Sequence, residues 1–299
     1  MAALAGERRQ IGIERSGPGT FTALIAAYYE SADWKILRSP TQTAYRGEIE
    51  RFRAKHGDKR VVDLEAHHIL SMRDRMSGPA AGNNLLRVLR RLMVFAVARR
   101  WRPDDPTKDI KRLNYRSDGF HTWTEVEIAQ FEARWRLGTK ERLAFDLLLY
   151  TGQRSADVRQ MSAGQVGESF ISVRQSKTNE QLELPIHSAL AASLAAGRGE
   201  HLLLLPTQYG KGFTAKGFGN WFSDAARKAG LADCSAHGLR KSAARRLAEA
   251  GATAHQIMAI TGHRSLKEVE RYTRAADQKT NAQAAMAKVD GPKVERKTV

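Results

Sequence analysis

The chain has 299 residues, and 49 lysines and arginines against 32 acidic residues give it a net charge of +17. Apolar residues make up 42% of it, which is enough for packed cores, and its length is typical of two domains. No stretch reaches the ~18 apolar residues of a membrane span, the first residues lack a signal-peptide segment, and the single cysteine, Cys234, excludes an internal disulfide. A chain this basic usually binds a polyanion, for which nucleic acid is the most abundant candidate and an anionic membrane surface the alternative. Without a membrane span or signal peptide, we expect a cytoplasmic protein.

Helical patterns dominate the first third of the chain. Ser39 is predicted as an N-cap, with Pro40 in the first helical position and Gln42 as capping-box partner, and Gly57 ends this helix. Further helices are predicted over residues 21–31, 64–78 and 83–101. Together they predict a compact helical bundle.

The helix predicted over residues 83–101 carries a basic face with few acidic residues among the arginines. Its members are Arg87, Arg90 and Arg91. A charge run of this kind is usually a solvated surface, but a face that follows DNA phosphates explains it equally well. The sequence leaves both interpretations open.

A polar, basic segment over residues 113–122 has linker character, and a second domain is predicted from Trp123 onward. Thr124 and Glu127 form a capping box at its first helix. Two segments, 169–175 and 180–186, flank a polar turn and predict a β-hairpin, and the region 236–289 is helical again. The fold class is therefore mainly α: an N-terminal helical bundle and a C-terminal, mostly helical domain with a small antiparallel β-sheet.

Four stretches of the second domain combine cations with proton carriers. TGQRSADV (151–158) holds Arg154 and Asp157, QSKTNEQ (175–181) holds Lys177, AHGLRKSAARRL (236–247) holds His237 and Arg240, and TGHRSLKEVERYT (261–273) holds His263 and Tyr272. Each alone has an ordinary explanation, such as a surface ion pair, an exposed turn lysine or a chance His-x-x-Arg pair. Leu266, Val269 and Tyr272 recur at helical spacing, which favours core packing for all three.

Taken together and in this order, the four stretches closely resemble the tyrosine recombinase (phage integrase) family of site-specific DNA recombinases. The resemblance covers the chain from about residue 20 to about residue 290. It implies an N-terminal extension over residues 1–19, a helical core DNA-binding domain over 20–112, the linker over 113–122 and a catalytic domain over 123–299. A separate amino-terminal arm-binding domain is not expected. The family often has glutamate at the position of Asp157. Aspartate keeps the charge but has a shorter side chain, so it reaches less far.

The chemistry of DNA cleavage assigns a role to each of these residue types. Tyr272 is the expected nucleophile, because a phenol can attack phosphorus and hold the cut strand as a phosphotyrosine. Arg154 and Arg240 are expected to bind the non-bridging oxygens, with His263 as a third donor. Lys177 is expected to protonate the leaving oxygen.

Two further roles complete the expected site. The resemblance implies that His237 accepts the phenol proton, and Asp157 is expected to orient Arg154. No cofactor is expected, and no metal site either, because His67 and His68 lack a third ligand nearby.

The expected partner is double-stranded DNA, contacted mostly at its phosphates. Groove contacts are also considered for Lys241, Arg245 and Arg246. The resemblance further implies a homotetramer on two DNA sites, with the weak helix over 281–289 docking on a neighbouring protomer, and a nucleoid-associated location. Whether accessory proteins bend the DNA is left open.

The leading hypothesis is a recombinase that integrates, excises or resolves DNA through a 3′-phosphotyrosine and a four-way junction, without metal or ATP. The alternatives are a type IB-like topoisomerase or telomere resolvase with the same chemistry, and a non-catalytic DNA-binding protein. Covalent adduct formation and strand exchange separate the three.

Overall fold

The computed structural model describes residues 17–115, 119–197 and 201–289. The chain divides into two compact units, Met1–Ser117 and Asp118–Val299. Most of the predicted N-terminal extension, residues 116–118 of the predicted linker and the last ten residues of the predicted catalytic domain lie outside the described residues. The domain boundaries drawn from the sequence stay predictions.

The first unit is a helical bundle built around its longest helix. That helix, α5 (Pro79–Ala98), buries a continuous apolar stripe that includes Leu86, Leu89 and Met93. Burial of such a stripe supplies most of the stability of a helix in water, because short helices are marginal by themselves. The helices of this unit are α1 (Phe21–Glu30), α2 (Ala32–Lys35), α3 (Ser39–His56), α4 (Ala66–Asp74) and α5 (Pro79–Ala98).

Helix ends in this unit differ from the sequence-based prediction. Ser39 was predicted as the N-cap of α3, but Arg38 occupies that position and makes no side-chain cap bond. The Gln42 amide does not complete a capping box; it donates to the Trp34 carbonyl at 3.0 Å and so satisfies the end of α2. Helix α5 begins at Pro79, four residues earlier than predicted, because proline at the first position needs no amide hydrogen.

The second unit surrounds an aromatic core. Trp123 is fully buried, its ring contacts Phe131 and Phe145, and its indole nitrogen donates to the Ser235 carbonyl at 2.9 Å. The predicted Thr124–Glu127 capping box is present at the start of α6 (Glu125–Arg134). The helices of this unit are α6 (Glu125–Arg134), α7 (Lys140–Thr151), α8 (Ser155–Val158), α9 (Ser188–Gly197), α10 (Ala215–Lys228), α11 (Ala236–Glu249), α12 (Ala254–Thr261) and α13 (Leu266–Val289).

The predicted hairpin is present as two antiparallel strands, β1 (Phe170–Arg174) and β2 (Gln181–Pro185). Arg174 pairs with Gln181 at the closing end, and Asn179 adopts a left-handed conformation in the turn, with φ of 59°. The fold class is thereby confirmed as mainly helical with one small antiparallel sheet. None of the described helices is both long and apolar enough to cross a membrane.

The buried indole of Trp123 gives a test of this core. Trp123→Ala removes a fully buried ring and a hydrogen bond, so we expect the free energy of unfolding to fall by about 3–5 kcal/mol. Urea unfolding of the full chain, followed by circular dichroism, measures the loss. Phe170→Ala is the matched control, since that ring is 50% exposed and its removal should cost less than about 0.5 kcal/mol. Equal losses in the two variants would contradict this account.

Candidate active site

Arg240 joins the ends of two helices. Its side chain is buried, and Nη1 donates to the Gly152 carbonyl at 2.6 Å and to the Thr261 carbonyl at 2.7 Å. Gly152 directly follows α7, and Thr261 is the last residue of α12. A cation is favourable there because the last carbonyls of a helix carry partial negative charge. Burial, and then the charge of Arg154, lowers the pKa of Arg240 to about 10, so it stays protonated at neutral pH. Within the described part of the chain its buried Nη2 has no hydrogen-bond partner.

Two glycines at the ends of α7 and α12 leave room for side chains to pack closely against the backbone. Gly152 and Gly262 cap α7 and α12 in the left-handed region, with φ of 61° and 67°. A Cβ at Gly262 would lie 2.4 Å from Nε2 of Gln175, so the buried amide can reach the backbone only because no side chain intervenes.

Arg154 lies at the N-terminal end of α8 and is oriented differently from the prediction. Asp157 was expected to orient it, but Nη1 of Arg154 donates instead to the amide oxygen of Gln175, at 2.8 Å. The Asp157 carboxylate accepts from the backbone nitrogen of Ser176 at 2.8 Å and from its hydroxyl at 2.7 Å. Asp157 therefore holds the residue that precedes Lys177 in the hairpin tip, and its shorter side chain contacts the hairpin.

His263 is neutral in the DNA-free protein, and its Nδ1 contacts the Thr261 hydroxyl. The Thr261 hydroxyl donates its single hydrogen to the Ile257 carbonyl at 2.7 Å and lies 2.6 Å from Nδ1 of His263. With that hydrogen on the Ile257 carbonyl, Nδ1 donates to the hydroxyl and Nε2 is unprotonated. Burial, and then the charges of Arg240 and Arg154, lowers the pKa of His263 to about 4. The predicted donor role toward a phosphate thus requires proton uptake at Nε2.

His237, in the first turn of α11, is also held in its neutral form. Burial is the largest cause of its lowered pKa, and the charges of Arg240 and Lys177 are among the others. The ring of Phe120 packs against it at a centroid distance of 4.7 Å, with the two ring planes tilted by 54°. A neutral imidazole among cations can accept a proton, which is what a general base needs.

Tyr272 lies on α13, half-buried against a small apolar cluster that includes Ile257 and Val269. Leu266 was expected in the same core, but it is 41% exposed, because the first residue of α13 lies at the edge of that cluster. Ionisation of the phenol would raise the pKa of Arg240, so the two side chains lie within electrostatic range. The core-packing interpretation therefore holds for Val269 and in part for the Tyr272 ring.

The structure thus brings the predicted residues of four separated segments to one place. The charges of Arg154 and Arg240 both lower the pKa of His263, and the charge of Lys177 lowers the pKa of His237. The ionised phenol of Tyr272 would raise the pKa of Arg240. These long-range interactions define one cationic cluster within the second unit.

The arginines of the basic face of the first unit already contact other residues of that unit. Arg90 donates to the Ile110 carbonyl, whereas the guanidinium groups of Arg87 and Arg91 lie over the Tyr45 ring at 5.3 and 5.4 Å. These four side chains line a cleft of roughly 580 Å³. Arg87 and Arg91 are thus the members held against an aromatic ring.

The basic residues of α11 have partners within the second unit. Lys241 donates to the Phe120 carbonyl at 2.6 Å. Arg245 donates to Glu125 at 2.6 Å, and Arg246 lies 3.6 Å from the same carboxylate. A role for these three in a DNA groove stays a prediction.

One cluster of metal-capable side chains occurs among the described residues, at His121, Glu127 and Cys234, whose ligand atoms lie within 4.8 Å of one another. The Glu127 carboxylate already accepts from His121 at 2.8 Å and from the Thr124 backbone nitrogen at 2.7 Å. Burial, and then Glu127, raises the pKa of the Cys234 thiol to about 12, so the thiol stays protonated. The hydrogen bonds that Glu127 accepts from His121 and Thr124 therefore explain why these side chains lie together: they cap the start of α6.

Sequence reasoning missed Gln153, Gln175 and Thr261. The two glutamines are fully buried, and each lies inside a stretch that the sequence did indicate, one residue before Arg154 and two before Lys177. A buried amide cannot be told from an exposed one by sequence position alone, so no available signal identified them.

Comparisons with known proteins identify the family of this chain. The model of the phage integrase family matches residues 125–279. Because this is more than half of the chain, the protein belongs to the phage integrase family.

Two curated relatives illustrate the similarity. The integrase of Escherichia phage HK022 is 26% identical over 201 residues, which cover 64% of this chain and 56% of that protein. The tyrosine recombinase XerC of Roseiflexus castenholzii is 25% identical over 267 residues, covering 81% of this chain and 85% of that protein.

Solved structures share the fold. A lambda integrase dimer bound to a COC′ core site aligns with a TM-score of 0.75 and 19% identity, over 85% of this chain and 95% of that one. A lambda integrase tetramer bound to a Holliday junction aligns with a TM-score of 0.71 and 18% identity, over 88% and 83%.

The lowered pKa of His263 predicts how stability depends on pH. Folded His263 stays neutral down to about pH 4, whereas in the unfolded chain it takes up a proton near its ordinary value of 6.5. The unfolded state therefore binds more protons in this window, and the free energy of unfolding falls as pH drops from about 6.5 toward 4.

His263→Asn keeps an N–H for Thr261 but cannot titrate, so the slope of unfolding free energy against pH should decrease by up to about 1.4 kcal/mol per pH unit. Urea unfolding at several pH values between 4.5 and 7.5 measures it. A variant with the parental slope would show that His263 is not the titrating group.

Proposed function

We propose that this protein is a site-specific DNA recombinase that cleaves and rejoins DNA through a 3′-phosphotyrosine at Tyr272. The observation that carries the proposal is the buried Arg240, which lies within electrostatic range of Arg154 and of the Tyr272 phenol and whose Nη2 has no partner among the described residues. Buried donors are almost always satisfied, so an unpaired guanidinium nitrogen in a cationic cluster indicates an anionic ligand.

The proton transfers follow from the protonation states. The Tyr272 oxygen attacks phosphorus, the P–O bond to the 5′ oxygen breaks, and the phenol proton passes to neutral His237. Lys177, at the hairpin tip, gives a proton to the leaving 5′ oxygen. Religation reverses each step, and the phosphotyrosine conserves the bond energy, so no ATP is needed.

The developing phosphate charge is balanced by the two arginines. Arginine offers a planar fork of donors that remains charged at neutral pH, and loss of one such donor in a related setting costs about 2.7–4 kcal/mol of transition-state stabilisation. His263 joins them once it is protonated. The bound phosphate favours that protonation, because its negative charge counters the two cations that lower the pKa of His263.

DNA binding by the first unit rests on Arg87 and Arg91. Their cation–π contacts with Tyr45 restrain two otherwise flexible side chains beside a cleft, which reduces the entropy lost when they bind phosphates. Such contacts give affinity and register without base specificity.

A homotetramer on two DNA sites is the proposed assembly. Support comes from the similar lambda integrase tetramer bound to a Holliday junction and from α13, which continues to Val289 and includes the segment predicted to dock on a neighbour. A topoisomerase or telomere resolvase would share the cleavage chemistry but exchange no strands between two duplexes.

A nicked suicide duplex tests the covalent step. With the protein's attachment site in that duplex, we expect an SDS-resistant protein–DNA adduct that Tyr272→Phe abolishes, since the variant lacks the attacking oxygen. Formation in EDTA is expected as well, because arginines supply the positive charge. Tyr209→Phe is the matched control, an exposed tyrosine of the same unit whose loss should leave adduct formation unchanged.

The same assay separates the alternatives. Recovery of exchanged strands from two partner duplexes supports recombination over a topoisomerase. Persistence of the adduct in Tyr272→Phe would overturn the assignment of the nucleophile, and absence of any adduct on the cognate site would leave DNA binding alone.

The salt dependence of DNA binding tests the first unit. Arg87→Gln and Arg91→Gln should each reduce the slope of log affinity against log salt by about 0.9, because each removes one phosphate contact and the counterion it releases. Arg51→Gln is the control, an arginine of the same unit that pairs with Glu48. Fluorescence anisotropy between 50 and 300 mM salt measures the slopes. Parental slopes in both cleft variants would contradict the assignment.

A further inference from the structure

We infer that Gln153 and Gln175 are positioning residues that hold Arg154, the hairpin tip and the Thr261–His263 turn in their reactive arrangement before DNA binds. The inference rests on the proposed function and deepens it. The two side chains contact segments that are far apart in sequence, and neither residue is predicted to take part in the chemistry.

Gln175 uses its full hydrogen-bonding capacity. Its amide oxygen accepts from Nη1 of Arg154 at 2.8 Å and from the Thr178 hydroxyl at 2.7 Å. Its amide nitrogen donates to the Gln153 side-chain oxygen at 2.6 Å and to the Thr261 carbonyl at 2.9 Å. A fully buried amide with two acceptors and two donors satisfied has one favourable orientation, because rotation by 180° would face oxygen to oxygen.

Gln153 extends the connection to the end of α12. Its amide nitrogen donates to the Ile260 carbonyl at 2.8 Å and to the Thr151 carbonyl at 3.0 Å. The Thr261 carbonyl, which accepts from Gln175, also accepts from Arg240. The two amides therefore link both arginines to the turn that carries His263.

The choice of an amide has a specific consequence for Arg154. A carboxylate would also hold the guanidinium, but it would compete with the phosphate for that charge and would place its oxygens against those of Gln153 and Thr261. The neutral carbonyl of Gln175 restrains one nitrogen of the fork and leaves its charge uncompensated. Restraint of a flexible arginine side chain before binding is preorganisation.

The experiment measures the single-turnover rate of adduct formation on the suicide duplex, together with DNA affinity and thermal midpoint. Gln175→Ala should slow cleavage by about 10- to 100-fold with affinity within about 2-fold of the parent, because small displacements of a catalytic group reduce rate more than binding. Gln175→Glu should be at least as slow, although it can still accept from Arg154. Gln153→Ala should also be slow, and the double variant no slower than the worse single one, as for residues that act as a unit.

A substrate with sulfur in place of the bridging 5′ oxygen identifies the step that is affected. Thiolate leaves without protonation, so this substrate should relieve the defect of Lys177→Ala. Gln175→Ala should keep most of its defect, because Arg154 still has to bind the phosphate. Complete relief of Gln175→Ala would overturn the assignment to Arg154.

Gln130→Ala is the control for general destabilisation. Its amide donates to the Ala229 carbonyl at 2.7 Å within the same unit, outside the cationic cluster, and its loss should leave the cleavage rate unchanged. Parental rates in Gln153→Ala and Gln175→Ala, or rates that fall only in proportion to the thermal midpoint, would overturn the inference. Absence of an adduct with the parent protein would instead refute the proposed function, so the two failures are distinguishable.

Discussion

One buried guanidinium ties the catalytic unit together. Arg240 lies among the last carbonyls of α7 and α12. Its two short hydrogen bonds, to the Gly152 and Thr261 carbonyls, hold the loop that leads to Arg154 against the turn that carries His263. A buried charge is tolerated only where polar groups satisfy it, and two helix ends provide such carbonyls without any acidic residue. Gly152 and Gly262, the left-handed caps of the two helices, flank this junction.

The charge gathered at this junction governs the chemistry of its neighbours. Burial and the two arginines keep both histidines in their neutral forms, so the DNA-free site contains a ready proton acceptor in His237 and an unprotonated Nε2 in His263. A single phosphate would compensate much of that positive charge and so favour the protonated form of His263. In the proposed mechanism, substrate binding therefore prepares the site electrostatically, while the buried amides of Gln153 and Gln175 keep the geometry constant.

Local signals in the sequence predicted local structure well and long-range contacts poorly. The Thr124–Glu127 capping box and the β1–β2 hairpin were predicted from residues within a few positions of one another, and both are present. The predicted Asp157–Arg154 contact was replaced by Asp157–Ser176 and Arg154–Gln175 bonds, which join segments about 20 residues apart. Ser39 and Leu266 were wrong for a related reason, because capping and burial depend on neighbouring elements as well as on spacing.

By itself, the sequence determined the fold class and the identities of the chemical groups, because helix caps, turn residues and the order of the four motifs are encoded in short stretches. Only the tertiary structure decided which side chain orients which. Whether Gln175 or Asp157 holds Arg154, which tautomer His263 adopts and which arginines already have partners all follow from hydrogen bonds across the fold. Those bonds form between groups that only the packed core brings within 3 Å, and no local pattern specifies them.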